Sequence, residues 1–339
     1  MIDTTRIQLA HGGGGQLTAE LIRDVILPAL GGQDPAALKD AATLQLPPGA
    51  TAFTTDSYVV QPLEFPGGDI GKLAVCGTIN DLAVSGARPA ALSMGLIMQE
   101  GLEIALLARV LGSAGAAARA AGVSIVTGDT KVVERSACDG LVINTAGVGT
   151  ILPAAKLGFA QVQEGDRVLL SGPLGEHGLA IMSQRKGLSF KASLASDCAP
   201  LHELTIALIE ELGQAVRWMR DPTRGGLAAT LADLSSAAGR DIEIQESAIP
   251  INRTARAAAE MLGLDLLTIA NEGKLVAVVA AGAAERAVEI LRQFPIAAEA
   301  CAIGHIAAAS DNPLVELVTK PGGRRIVQMP YGEELPRIC

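Results

Sequence analysis

The sequence predicts an α/β protein of two domains, with helices layered on sheets. Three observations predict it. At 339 residues the chain can enclose two sizeable cores. It is 49% hydrophobic but only 2% aromatic, so its apolar content is mostly Ala, Leu, Val and Ile, which suits helices packed on sheets. The alternation of strand-like and helix-like segments pauses near Pro153 and partly restarts at Asp166. The formal net charge of −9 offers no electrostatic footprint for nucleic acid. No apolar run reaches the roughly 18 residues of a membrane span, and the opening Met1-Ile2-Asp3-Thr4-Thr5-Arg6 lacks the pattern of an export signal. Cys76, Cys138, Cys198, Cys301 and Cys339 are widely spread with no C-x-x-C pair. They read as reduced thiols of a cytoplasmic protein, not as a zinc knuckle or a disulfide framework.

Taken in order, His11-Gly12-Gly13-Gly14-Gly15 precedes a helix expected over residues 17–30. Four glycines admit close backbone approach to a phosphate, and a helix N-terminus favours anions. The run matches neither the Walker nor the Rossmann pattern, and a flexible linker accounts for it equally. Strands are expected over residues 40–44 and 52–60, carrying Asp40 and Asp56. Asp69 caps a helix over residues 69–85, inside which Asn80 and Asp81 are polar among apolar neighbours. A strand over 91–98 and a long Ala/Leu helix over 102–121 follow. Residues 123–133 read as a strand in which Gly128 relaxes the backbone and Asp129 and Lys131 share a face. A strand over 141–151 closes the first domain.

The second domain is expected to hold strands over 167–171, 242–245, 275–279, 302–306, 314–318 and 325–329. Helices are expected over 176–185, 202–212, 227–238, 253–262 and 283–294. Between them, Arg220-Asp221-Pro222-Thr223-Arg224-Gly225-Gly226 opens a helix and reads either as an anion cradle or as a structural turn. Asn271-Glu272-Gly273-Lys274 by itself passes for a solvated loop. The chain ends in Cys339, behind a stretch that Pro330 and Pro336 keep extended. Ten such residues reach roughly 30 Å. Taken alone, this tail reads more readily as a frayed end than as a reactive arm. Prenylation does not explain it, because Pro336 stands where that motif needs its cysteine.

Asp40, Asp56, Asp81, Asp129 and Asp221 all sit in short Gly/Ala/Thr-rich motifs. Carboxylates are hard oxygen ligands of the kind Mg²⁺ uses when it escorts nucleotide phosphates. With the glycine run and the Arg-Gly-Gly turn, they point to ATP chemistry without a Walker loop.

Residues 11–16, Thr54-Thr55-Asp56-Ser57-Tyr58, residues 71–86, Thr127-Gly128-Asp129-Thr130-Lys131-Val132-Val133, residues 220–226, Asn271-Glu272-Gly273-Lys274 and the ending Pro336-Arg337-Ile338-Cys339 carry a resemblance. End to end, the chain resembles the hydrogenase-maturation carbamoyl dehydratases, of the aminoimidazole ribonucleotide synthetase and selenophosphate synthetase superfamily. The resemblance implies an N-terminal ATP-binding domain (1–152) that forms a homodimer through a shared β-barrel. It also implies a C-terminal α/β domain (153–328) and a flexible tail (329–339) ending in a reactive cysteine.

It further implies that Cys339 receives a carbamoyl group from the carbamoyltransferase HypF and that ATP drives its dehydration to a thiocyanate. The cyano group then passes to a HypC–HypD complex for the iron of [NiFe]-hydrogenase. By motif match, Asp56, Asp81 and Asp129 become the Mg²⁺ and ATP candidates, with Asn80, Gly128 and Asp40 beside the nucleotide. Lys131 and Glu272 are expected next to the carboxamide, Glu272 as acceptor of the departing proton and Lys131 as stabiliser or relay. Asp221 and Arg224 line the same cleft or hold the turn. No histidine is assigned to catalysis, and Cys76 is read as core. Two rivals make different predictions: a small-molecule kinase would turn over without Cys339, and a scaffold would bind its partner without ATP hydrolysis.

Overall fold

The computed structural model describes residues 5–32, 34, 38, 41–188, 194–332 and 337–338. Asp40 and Cys339 lie outside the described residues. The first domain is built on a sheet ordered β1-β6-β4-β5, from β1 (Thr51–Tyr58), β4 (Ala87–Gln99), β5 (Ser124–Val133) and β6 (Leu141–Ile151). A small ribbon of β2 (Glu64–Phe65) and β3 (Gly68–Asp69) leads into α3 (Ile70–Val84). Asp69 caps α3 as expected, its carboxylate accepting from the Gly71 and Lys72 amides at 2.8 and 3.0 Å. Helices α3 and α4 (Ile104–Ala120) pack together beside the sheet. The helix expected over 17–30 is a rod in three pieces: α1 (Gln16–Leu21), a π turn and α2 (Leu27–Leu30). Leu27 bonds five residues back to the Ile22 carbonyl, a slip that accommodates Pro28, which has no N–H to give.

Side chains alternate across this sheet, and its two faces differ. One face is buried under the helices and carries Tyr58, Ile143, Leu96 and Val132. On the other, Phe53 stays 70% and Ile97 39% exposed. Asp129 and Lys131 pair in register with Gly95 and Ile97 and share that open face.

The second domain is a sheet ordered β13-β12-β9-β11-β7-β10-β8. Its strands are β7 (Arg167–Leu170), β8 (Val216–Arg220), β9 (Arg240–Gln245), β10 (Val276–Val279), β11 (Cys301–Ala309), β12 (Val315–Val318) and β13 (Arg324–Val327). Val168, Leu170, Val276 and Val278 pack on one side with Leu227, Leu231 and Leu234 of α7 (Gly226–Ala238). Leu169, Ala277 and Val279 pack on the other with α6 (His202–Leu212) and α9 (Ala284–Leu291). Cover on both faces is why β10 is apolar at every position instead of alternating. Helices α5 (Glu176–Arg185) and α8 (Arg253–Leu262) make a separate small core around Ala255, Ala258 and Ile269.

Two expectations fail. Residues 41–44 form no strand and are exposed; their apolar positions meet no surface to bury against. Strand β8 was not expected, because five residues between a helix and a polar motif are too few to show a period.

Candidate active site

Helix α3 lies at the seam of the two domains, packing on α6 and β8 as well as on its own sheet. Asn80, on its second-domain side, is fully buried. Its Oδ1 accepts from the Leu201 amide at 2.8 Å, and its Nδ2 donates to the carbonyls of Ala199 and Glu272 at 3.1 and 3.3 Å. Asn80 is thus a strut from α3 to the loop that carries Glu272. One residue on, Asp81 points to β1 and accepts from Thr54 Oγ1 at 2.8 Å. Period-two alternation puts Thr54, Asp56 and Tyr58 on one side of β1. All of β1 from Asp56 to Tyr58 borders the same small recess, with Asp81, Asp221, Arg224 and Glu272.

That recess, about 30 Å³, is strongly acidic. Burial, reinforced by Asp81 and by Asp56, pushes the Asp221 carboxyl from its usual 3.8 up to about 7. Burial also raises Glu272 well above the usual carboxylate range, with Asp221, Asp197 and Asp56 adding repulsion. Asp81 is raised by burial too, against the hydrogen bond from Thr54. Glu272 Oε1 and Tyr58 Oη are buried without a hydrogen-bond partner among the described residues. The Arg224 guanidinium stands at the mouth, 4.0 Å from Asp56 Oδ1. Acidic groups that push one another toward their neutral forms, with one exposed guanidinium at the mouth, leave this recess suited to a cation brought in with a ligand.

The motif glycines around the recess serve backbone approach. A Cβ on Gly226 would lie 2.5 Å from the Leu267 carbonyl, and one on Gly273 would lie 1.9 Å from that of Asp197. The Arg-Gly-Gly segment is therefore a turn docked on the 267–269 strip, and it sets Asp221 and Arg224 on the recess. Beside Gly273, Lys274 Nζ lies 3.1 Å from both Glu176 Oε2 and Asp197 Oδ2. Burial opposes its charge, yet Asp197 and Glu176 hold its pKa above the ordinary value. The second half of the Asn-Glu-Gly-Lys motif is thus an internal clamp, not a solvated turn.

The remaining expected site residues lie elsewhere in the chain. Asp129 and Lys131 are on β5, at the opposite edge of the sheet from β1 and on its open face. Three strand spacings, about 14 Å, separate those edges. Gly128 presses on β4, where a Cβ would stand 2.3 Å from the Met94 carbonyl. Gly128 and Asp129 border a second cavity of about 160 Å³ with apolar walls from Ile22, Ile26, Leu30 and Ile125. The glycine run docks next to it: a Cβ on Gly12 would meet the Val132 amide at 2.8 Å, while Gly14 and Gly15 face open space.

The sequence reading missed His177, which is fully buried on α5. Its Nε2–H donates to the Ile338 carbonyl at 3.0 Å, and its Nδ1 accepts from the Ser196 hydroxyl at 2.8 Å. Burial lowers its pKa, against the pull of Asp197; a carbonyl can only accept, so the ring is the neutral Nε2–H tautomer. Ile338 itself is 3% exposed, in one core cluster with Cys76, Ile181, Cys198 and Ala270. The Arg337 carbonyl accepts from the Gln61 amide at 3.3 Å and from the Arg185 guanidinium. The Arg337 side chain pairs with Asp139 at 3.0 Å. The carbonyl that His177 holds is the one bonded to Cys339, and the next residue on α5, Gly178, donates its amide to the Ala270 carbonyl at 3.1 Å, two residues from Glu272. A lone histidine within a helix gives no linear signal of such a contact.

Residues 38–151 match the family model of the AIR synthase related protein N-terminal domain, and residues 163–314 that of its C-terminal domain. The carbamoyl dehydratase HypE of Azotobacter vinelandii is 47% identical over 333 residues, 98% of this chain and 97% of its own length. A crystal structure of hydrogenase maturation protein HypE in complex with ATP superposes with a TM-score of 0.93 at 44% identity, covering 98% of this chain and 99% of that one. The HypE chain of a HypE–HypF complex gives a TM-score of 0.80 at 42% identity, over 93% of this chain and 100% of that one.

Proposed function

We infer the reaction of this chain from its kinship: it belongs to the AIR synthase related family and, within it, to the HypE carbamoyl dehydratases of hydrogenase maturation. It is an ATP-dependent dehydratase that converts a carbamoyl group on its C-terminal cysteine to a thiocyanate, the source of cyanide ligands for hydrogenase iron. The observation that carries the proposal at residue level is the buried Ile338, whose carbonyl rests on His177 beside the Glu272 loop. On this reading residues 329–339 are the substrate-bearing arm, residues 1–152 bind ATP and residues 153–328 complete the cleft.

An amide oxygen is a poor leaving group. Phosphorylation by ATP forms an O–P bond on the carboxamide oxygen while one N–H proton leaves. The C–O bond then breaks, phosphate departs with that oxygen, and the second N–H proton is lost to give S–C≡N, ADP and phosphate. Mg²⁺ supplies charge neutralisation on the transferring phosphoryl group. The donor set fits it. Asp56 and Asp81 offer hard carboxylate oxygens of the kind Mg²⁺ takes beside phosphates and water. Asn80 acts through its hold on the Glu272 loop.

Burial and its acidic neighbours favour the neutral form of Glu272; a bound cation opposes that shift and frees the carboxylate to act as the base. We assign Gly128, Asp129 and the apolar cavity to the nucleotide, with Lys131 above them on the open face. That uncovered face supports a homodimer, in which Asp129 and Lys131 of one subunit would serve a shared site. HypF is the carbamoyl donor, a HypC–HypD complex the acceptor, and the cytoplasm the compartment. Among the described residues no helix is long and apolar enough to cross a membrane.

Intact-mass spectrometry after incubation with HypF, carbamoyl phosphate and MgATP tests the reading. The expected result is a carbamoyl adduct that loses water only with MgATP and is absent from Cys339→Ala. ATP consumption on a small molecule with no adduct would replace it by the kinase reading.

A further inference from the structure

We propose that the Tyr58 hydroxyl is a catalytic hydrogen-bond donor to the carboxamide oxygen as that oxygen is phosphorylated and expelled. The proposal rests on the dehydratase reading above and adds a residue to its site. Tyr58 ends β1 with its ring in the first-domain core, 2% exposed. Its Oη meets no partner at full hydrogen-bond geometry among the described residues. Burial raises its pKa and its polar neighbour Thr78, the residue after Gly77 on α3, eases it down, but Thr78 is itself engaged with Thr145 at 2.5 Å. Phenylalanine would fill the same volume without leaving a buried polar atom unmatched, so core packing does not require the oxygen.

The opposite element makes a concession to that oxygen. Gly77 stands in mid-α3, where glycine weakens a helix relative to alanine, and a Cβ there would lie 2.1 Å from Tyr58 Oη. Two locally unfavourable choices, on β1 and on α3, therefore converge on one atom. That atom faces the recess it shares with Asp56, Asp81, Asp221 and Glu272. Asp56 and Asp81 supply acceptors there, and Glu272 is the group that takes up the departing N–H proton, not one that holds the oxygen. Arg224 donates only from the mouth, with its side chain 73% exposed. A carboxamide oxygen entering the recess needs a donor at the floor, and Tyr58 offers one that is buried and already oriented.

The phenol keeps its proton throughout. It holds the carboxamide oxygen while the O–P bond forms, and its hydrogen bond strengthens as the C–O bond breaks and negative charge grows on the departing phosphate. A donor aimed at developing charge accelerates the step; removing one such donor typically costs about 10²–10³ in rate.

Tyr58→Phe in the full-length chain tests this. Three quantities are measured: carbamoyl loading by HypF, the single-turnover rate of water loss on adding MgATP, and the thermal midpoint. The expected result is normal loading, unchanged ATP affinity, an equal or higher midpoint, and dehydration slowed about 10²–10³-fold. Dehydration at the wild-type rate would overturn the assignment and leave the hydroxyl a packing remnant. A slow rate accompanied by a lowered midpoint and poor loading would overturn it in favour of a structural role. Wild-type protein that loads but never dehydrates would sink the parent reading, and this assignment with it.

Discussion

Asp221 shows how much a single residue depends on its surroundings. Its carboxyl is buried against Asp81 and Asp56 and titrates at about 7 instead of 3.8. Between those pH values the folded chain retains a proton that the unfolded chain has released. Stability therefore falls as pH rises through that window, by at most about 1.4 kcal/mol per unit. Without Mg²⁺, the thermal midpoint should fall from pH 5 through pH 7.5, with Glu272 and Asp81 adding to the fall. Asp221→Asn should lessen that slope, leaving the part due to Glu272 and Asp81. An unchanged slope in the variant would mean that Asp221 titrates as an ordinary carboxylate. The sequence displayed Asp56, Asp81, Asp221 and Glu272 as polar positions in short motifs. It could not display their mutual repulsion, because they come from four segments far apart in the chain.

At the scale of elements, the Lys274 clamp ties together α5, the loop bearing Asp197 and the strip entering β10. The ammonium is buried between two carboxylates at 3.1 Å. Removing it leaves Glu176 and Asp197 without a cation, a change that typically costs about 3–5 kcal/mol. Lys274→Met should lower the denaturant midpoint accordingly and shift the Glu272 loop; an unaltered midpoint would show the clamp to be dispensable. Elements with long periodic patterns were legible: α3 with its Asp69 cap, α4, β6 and α7 stand where the sequence placed them. Strand β8 was not legible, since its identity comes from pairing with β10 and not from its own alternation. Likewise the expected strand over 40–44 had a suitable pattern, but residues 41–44 pair with no strand and stay exposed.

For the whole molecule, the first sheet leaves one face open. Phe53 and Ile97 lie on it exposed, on the same face as Asp129 and Lys131, and we propose it as the association surface. Phe53→Asp should convert a dimer to a monomer by light scattering and abolish dehydration. Cys339 should still accept its carbamoyl group if HypF reads the tail alone. A variant that stays dimeric would place the interface elsewhere. Within one chain, Lys131 on the open face of β5 lies across the sheet from the Glu272 recess.

By itself the sequence determined the two-domain α/β class, most helices and strands, the family and the roster of candidate residues. Those depend on periodicity, capping chemistry and short motifs, which are local properties of the chain. Only the tertiary structure decided what each candidate touches. It made Asn80 and Lys274 internal struts, gathered four carboxylates and an unpartnered phenol into one recess, and put Asp129 and Lys131 across the sheet from them. It also rested the carbonyl before Cys339 on His177, a residue with no mark in the linear sequence. Burial and charge proximity are set by segments that meet only on folding, and those two quantities govern both the protonation of this site and the docking of its tail.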